Sequence, residues 1–147
     1  MKARLDDKNI CSYDGYNCYL LIVDYYTRYT WVFLSRNKQP PIQTVQHFLE
    51  SYRTKGSIHI IRMDQGGELA RSSAFAKAVQ SAGYNLETTG ADNSSQNSIA
   101  ERPHQTLANM VRAALENSNV HGRFGSSALL HAVFVKKKKK KTATCGV

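Results

Sequence analysis

Two runs of β-branched, aromatic and large aliphatic residues lie close together early in the chain, and they limit the folds open to it. Cys18-Tyr-Leu-Leu-Ile-Val-Asp24 and Tyr29-Thr-Trp-Val-Phe-Leu-Ser35 both have strand composition. Only the short link Tyr25–Arg28 separates them, which predicts a hairpin. The pattern then changes period. Pro40-Pro41 suits a helix start, and Ile42, Val45, Phe48, Leu49 and Tyr52 recur at helical spacing up to a stop at Gly56. Ile58-His-Ile-Ile-Arg-Met63 reads as a buried strand broken by Asp64-Gln-Gly-Gly. Ser72 or Ser73 caps a helix through Ala82, with Gly83 as its stop. Tyr84–Thr88 is short and extended, and Gly90–Ser95 is a loop by composition. A long helix is expected from about Ser98 to Asn117, with Leu107, Met110, Val111, Ala114 and Leu115 on one stripe. A last helix covers Ser126–Val135. The order strand, strand, helix, strand, helix, short strand, helix, helix implies an α/β layered domain with a mixed sheet.

The 147 residues suffice for one domain with a core of its own. The net charge of +9 invites a nucleic-acid partner, but six of those charges are the run Lys136–Lys141. Without that run 14 basic residues face 11 acidic ones, and the excess falls to +3. The run followed by Thr-Ala-Thr-Cys-Gly-Val is low complexity. It reads either as a nucleic-acid-binding tail or as a translated adenine-rich tract. Cys11, Cys18 and Cys145 are odd in number and lack metal-site spacing, so reduced thiols are expected. The longest apolar run, Tyr19–Val23, is too short to cross a bilayer. The first residues lack the apolar core of a signal peptide, and an intracellular protein is expected.

Two carboxylates stand out. Asp64 falls where an apolar strand meets a Gly-Gly turn, and α/β sheets gather sites at the carboxyl ends of strands. Its bland reading is a strand-ending Asp that makes its own turn bonds. Glu101 closes Ser98-Ile-Ala-Glu101, a capping-box pattern in which the Glu bonds back to the cap. Its alternative reading is a metal carboxylate on the first turn of a helix.

Taken together these segments are more specific. Arg62-Met-Asp64-Gln-Gly-Gly-Glu, then Gln96-Asn-Ser-Ile-Ala-Glu101-Arg, is similar to the integrase cores of copia-type LTR retrotransposons. Leu21-Ile-Val-Asp24-Tyr-Tyr-Thr-Arg-Tyr-Thr-Trp-Val-Phe33 and Ser126–Val135 resemble further blocks of that family in order. The resemblance spans roughly residues 15–135. It implies an RNase H-like mixed sheet flanked by helices, with the first strand incomplete or missing. It further implies residues 1–117 as a core truncated at its N-terminus, 118–135 as the helix that follows, and 136–147 as a Lys-rich tail. The implied activity is DNA 3′-processing and strand transfer with two Mg²⁺ (or Mn²⁺) ions held by three carboxylates. Asp64 and Glu101 match two of them. Asn97, Arg102, His104 and Arg112 become candidate DNA contacts. The implied partners are retroelement-end and target DNA and further copies of the chain, with a nuclear location if functional and no membrane.

The third carboxylate is the open point. In the family the first ligand precedes Asp24 by about 20 residues, which reaches the start of this chain. Asp24 is therefore expected to organise the Tyr25–Arg28 turn through Thr27 or Arg28, with a third-ligand role as the alternative. Asp6, Asp7 and Asp14 read as loop residues. Pro103 also departs from expectation. With Ser98 as the cap it lies past the first turn, where proline costs about 3 kcal/mol, unless the helix starts later. Two other functions stay in view, a non-catalytic nucleic-acid-binding remnant and a different RNase H-like nuclease.

Overall fold

The computed structural model describes residues 2–4, 12–53, 59–64, 69, 71–89 and 94–144. Strand β1 (Lys2–Arg4) pairs antiparallel with β2 (Cys18–Val23), and β2 pairs antiparallel with β3 (Thr30–Ser35). Helix α1 (Ile42–Tyr52) follows, then β4 (Ile60–Asp64), α2 (Ser73–Ser81) and β5 (Asn85–Thr89). Helix α3 (Ser94–Asn117) and a 3-10 turn over Gly122–Phe124 lead into α4 (Gly125–Thr144).

The three-stranded sheet is buried on both faces, because side chains alternate across a strand. Leu20, with Ile22 and Phe33 packed beside it, faces a core formed with Val45 and Leu49 of α1, Phe75 and Val79 of α2, and Met63 of β4. Tyr19, with Leu21, Val32 and Leu34, faces a second core of Leu107 and Val111 from α3 and Leu129, Ala132 and Val133 from α4. Full burial of each such aliphatic side chain stabilises by about 1.5–3 kcal/mol.

Local chemistry sets several boundaries as the sequence implies. Ser72 is the N-cap of α2, and its hydroxyl accepts from the Phe75 amide at 3.2 Å. Gly83, at φ +81°, ends the same helix. Its amide donates to Gln80 O at 2.9 Å and that of Tyr84 to Val79 O at 3.1 Å, which is a Schellman closure. Asn119, at φ 49°, closes α3 in the same way through Val120 N–H to Leu115 O. The hairpin and the parallel pairing of β4 with β5 across α2 also match expectation. The expected stop at Gly56 and the loop 90–93 lie outside the described residues, as do Cys11 and Cys145. Cys18 is a buried free thiol.

Three expectations need correction. Among the described residues the strands form two small sheets, β1-β2-β3 and β4-β5, in place of one mixed sheet. Among the described residues β1 pairs with β2 only at Cys18–Leu20. A cavity of about 1020 Å³ runs between Leu21–Asp24 on one side and Ile60–Met63 on the other. A first strand is thus present, though three residues long. Helix α3 begins at Ser94, four residues ahead of the expected cap, so Ser98 lies inside the helix. Pro103 is also interior, and the Ile99 carbonyl has no i→i−4 amide to accept from. Finally, α4 does not end at Val135. It crosses the expected boundary and continues through Lys136–Lys141 to Thr144. Lysine is a good helix former, and cations are favoured near a helix C-terminus.

The loop ahead of β2 is tied to the start of α4 by a buried hydroxyl. Ser126 is fully buried; its Oγ donates to Asp14 Oδ2 at 2.7 Å and lies 2.7 Å from Ser12 Oγ. Ser12 Oγ donates to Arg123 O at 2.8 Å. Burial works to raise the Asp14 pKa, but the bonds from Ser126, Ser12 and the Tyr16 amide outweigh it and hold the carboxyl below its ordinary value. Ser126→Ala strands the polar partners of a buried hydroxyl, and a loss of about 1–3 kcal/mol is expected. Urea unfolding would show this as a lower midpoint with an unchanged slope.

Candidate functional site

Asp64 closes β4, opposite Thr89 in the parallel register. That is the carboxyl end of a strand, as expected. Glu101 lies two turns into α3, is exposed, and has no hydrogen-bond or ion-pair partner among the described residues. The capping role that would have explained it structurally is removed by the earlier start of the helix.

Asp24 follows the C-terminal end of β2. Trp31 stands opposite Ile22 in the hairpin and packs 5.2 Å from Tyr52, in the last turn of α1. Tyr84 donates its hydroxyl to Leu49 O at 3.0 Å in the same half of that helix, and its ring lies 4.9 Å from His59, just ahead of β4. The C-terminal end of β2 and the N-terminal end of β4 therefore lie together. Asp24 follows β2 at that end, while Asp64 is four residues farther along β4, roughly 13 Å of strand. Glu101 precedes His104 by about one turn. His104 in turn meets Tyr19 near the start of β2, five residues or roughly 17 Å of strand from Asp24.

The Asp24 carboxylate is occupied by its turn. Oδ2 accepts from the Thr27 amide at 2.9 Å and from the Thr27 hydroxyl. The Asp24 carbonyl accepts from the Arg28 amide at 2.9 Å, and Arg28 takes a left-handed φ of 58°. These bonds match the turn-organising role expected for Asp24. Asp14 is likewise engaged, with Ser126. Asp6 and Asp7 lie outside the described residues.

The candidate DNA contacts differ among themselves. Arg102 and Arg112 are exposed on α3, and Arg112 Nη1 donates to Asn109 Oδ1 at 3.4 Å. Asn97 lies in the first turns of α3, with its side chain outside the described part. His104 does not sit on a solvated helix face. Its ring is partly buried, stacks 5.6 Å from Tyr19, and places Nε2 2.9 Å from the Tyr19 hydroxyl. Burial pushes the Tyr19 phenol up to about 12, so it keeps its proton. Burial also pulls His104 below its ordinary value, which favours the neutral ring, and the tautomer of that ring sets the direction of its bond with the Tyr19 hydroxyl. This pairing joins residues 85 positions apart and leaves no local pattern to read.

No family model matches the chain. It is 27% identical over 126 residues to the retrovirus-related Pol polyprotein from transposon TNT 1-94 of Nicotiana tabacum, covering 84% of this chain and 9% of that protein. It is 27% identical over 128 residues to the corresponding polyprotein from transposon RE2 of Arabidopsis thaliana, with 86% and 9% covered. The RE1 polyprotein of the same plant gives 26% over 128 residues, with 86% and 8% covered. The chain thus spans less than a tenth of the length of these relatives. Similarity at low identity across most of the chain supports a retrotransposon Pol-derived domain.

His104 makes stability depend on pH in a definite direction. Its folded pKa lies below the unfolded value of about 6.5, so its contribution is complete above that pH and is lost as pH falls through the folded pKa. The urea midpoint of the native chain should fall more steeply between pH 7.5 and 5 than that of His104→Asn. Parallel curves would show that the ring protonates in the fold without penalty.

Proposed function

We propose that this domain derives from the integrase-core segment of a retrotransposon Pol polyprotein, and that Asp64 and Glu101 are two of its metal-binding carboxylates. The observation that carries the reading is the placement of the two motif acids. One ends a strand, and the other is exposed and unpaired among the described residues on the helix two elements later. The antiparallel hairpin, the parallel β4-α2-β5 unit and the helices on both faces of the hairpin sheet fit an RNase H-like ancestry.

Both acids offer hard oxygen ligands, which is the donor chemistry Mg²⁺ and Mn²⁺ take. When bound, a pair of such ions supplies charge stabilisation to the attacking and leaving oxygens of a phosphodiester displacement. Asp64 would hold its share from the strand end and Glu101 from the helix. Along α3, Arg112 follows Glu101 by three turns, roughly 16 Å, on the same exposed side, where a DNA backbone would pass. Arg102 lies beside Glu101. His104, held by Tyr19, would position the helix and is not a direct phosphate contact. DNA is the proposed partner, and self-association is proposed with it.

Asp24 is not the third ligand in this proposal, because its carboxylate serves the hairpin turn. Strand transfer by this chain alone is accordingly expected to be weak or absent. The test is Mn²⁺ binding followed by calorimetry, with an end-joining assay on a labelled duplex beside it. Asp64→Asn and Glu101→Gln should each weaken Mn²⁺ binding by about tenfold or more, in line with loss of a charged ligand. Asp24→Asn should leave it unchanged. Metal binding indifferent to Asp64 and Glu101 would sink the assignment, as would robust joining abolished by Asp24→Asn.

A further inference from the structure

We propose that the tip of the β2–β3 hairpin, together with the first lysines of the α4 run, is a binding site for single-stranded nucleic acid. The site lies at the hairpin turn that holds Asp24 and does not depend on any metal chemistry.

The turn itself is built by Asp24 and Thr27, with Arg28 in the left-handed region. It has no need of the two tyrosines between them. Yet Tyr25 is 63% exposed and Tyr26 is 92% exposed, and Tyr26 makes no hydrogen bond or ring contact among the described residues. Tyr26 is held out to solvent on a well-bonded turn, and Tyr25 stays largely exposed beside it at the mouth of the cavity. Cations lie on and beside this turn. The Arg28 guanidinium lies 5.1 Å from the Tyr25 ring centre, and Lys137 Nζ lies 4.9 Å from that of Tyr29. Lys136 Nζ reaches Thr30 Oγ1 at 3.2 Å, which anchors the lysine-rich stretch of α4 against the hairpin.

Stacking rings beside a cationic track are what unpaired nucleic acid recognises: bases stack on the rings and phosphates follow the charge. A duplex hides its bases, so the exposed rings favour a single strand. The tip sequence Tyr25-Tyr-Thr-Arg28 has no aliphatic wedge of the kind that buries in a membrane interface, which argues against a lipid surface.

The chain's single tryptophan, Trp31, lies 4.7 Å from Tyr29 and is a built-in reporter. The experiment measures anisotropy of a labelled oligothymidine of about 20 nucleotides, with Trp31 emission followed in parallel. The single strand should bind more tightly than a duplex of equal length and should quench Trp31. The Tyr25→Ala, Tyr26→Ala double variant should bind roughly tenfold or more weakly while keeping its far-ultraviolet circular dichroism. Lys136→Gln with Lys137→Gln should lower the salt slope by about 1.4, or 0.7 for each phosphate contact. Asp64→Asn with Glu101→Gln should leave binding unchanged, which separates this site from the proposed metal site. Affinity unaffected by the tyrosine changes, equal affinity for duplex and single strand, or binding confined to anionic phosphatidylserine vesicles would each overturn the proposal.

Discussion

Strand β2 is the element on which the rest of the structure depends, because both of its faces are buried at once. Leu20 and Ile22 turn toward α1, α2 and the β4-β5 pair, while Tyr19 and Leu21 turn toward α3 and α4. A shift of one residue in its pairing with β3 would exchange the two sets and damage both cores. The register Leu20↔Phe33 and Leu21↔Val32 is therefore enforced from two directions. The helices that cover the strand are in turn positioned by it.

This double burial also divides the molecule into two ends. At one, the hairpin turn, the end of α1 and the approach to β4 come together around Tyr29, Trp31 and Tyr52. At the other, β4 ends in Asp64 and α3 passes over the start of β2 through His104 and Tyr19. Asp64 closes β4, Glu101 lies about one turn before His104, and Asp24 follows β2 at the hairpin turn. The Asp24 carboxylate belongs to its own turn. The same division leaves the first end, with its exposed tyrosines and anchored lysines, free to act separately.

Much of the architecture was legible because it rests on local rules. Ser72 caps α2 since a hydroxyl at that position meets an orphan amide, and Gly83 stops it since only a left-handed residue closes the Schellman bonds. Placement of Asp64 at a strand end followed from the change of period before a Gly-Gly turn. The start of α3 was misread because Ser98-Ile-Ala-Glu101 carries every mark of a capping box, yet four further residues are helical in the fold. A cap pattern states a preference worth about 1 kcal/mol, which other interactions can override. The extent of α4 was missed for a related reason. Low complexity argued for a tail, while lysine's helix propensity and the packing of Lys136 and Lys137 on the hairpin carry the helix onward.

The sequence by itself determined the order and kind of the elements from β2 onward, the hairpin and the identity of the two motif acids. These follow from hydrophobic period and from side chains acting on their immediate neighbours. Only the tertiary structure decided that the Asp24 carboxylate is taken up by its turn, that Tyr19 engages His104 across 85 residues, that Ser126 ties Asp14 to α4, and that the described strands form two sheets where one was expected. Those outcomes depend on which surfaces meet when both faces of β2 are covered, and no local pattern carries that information.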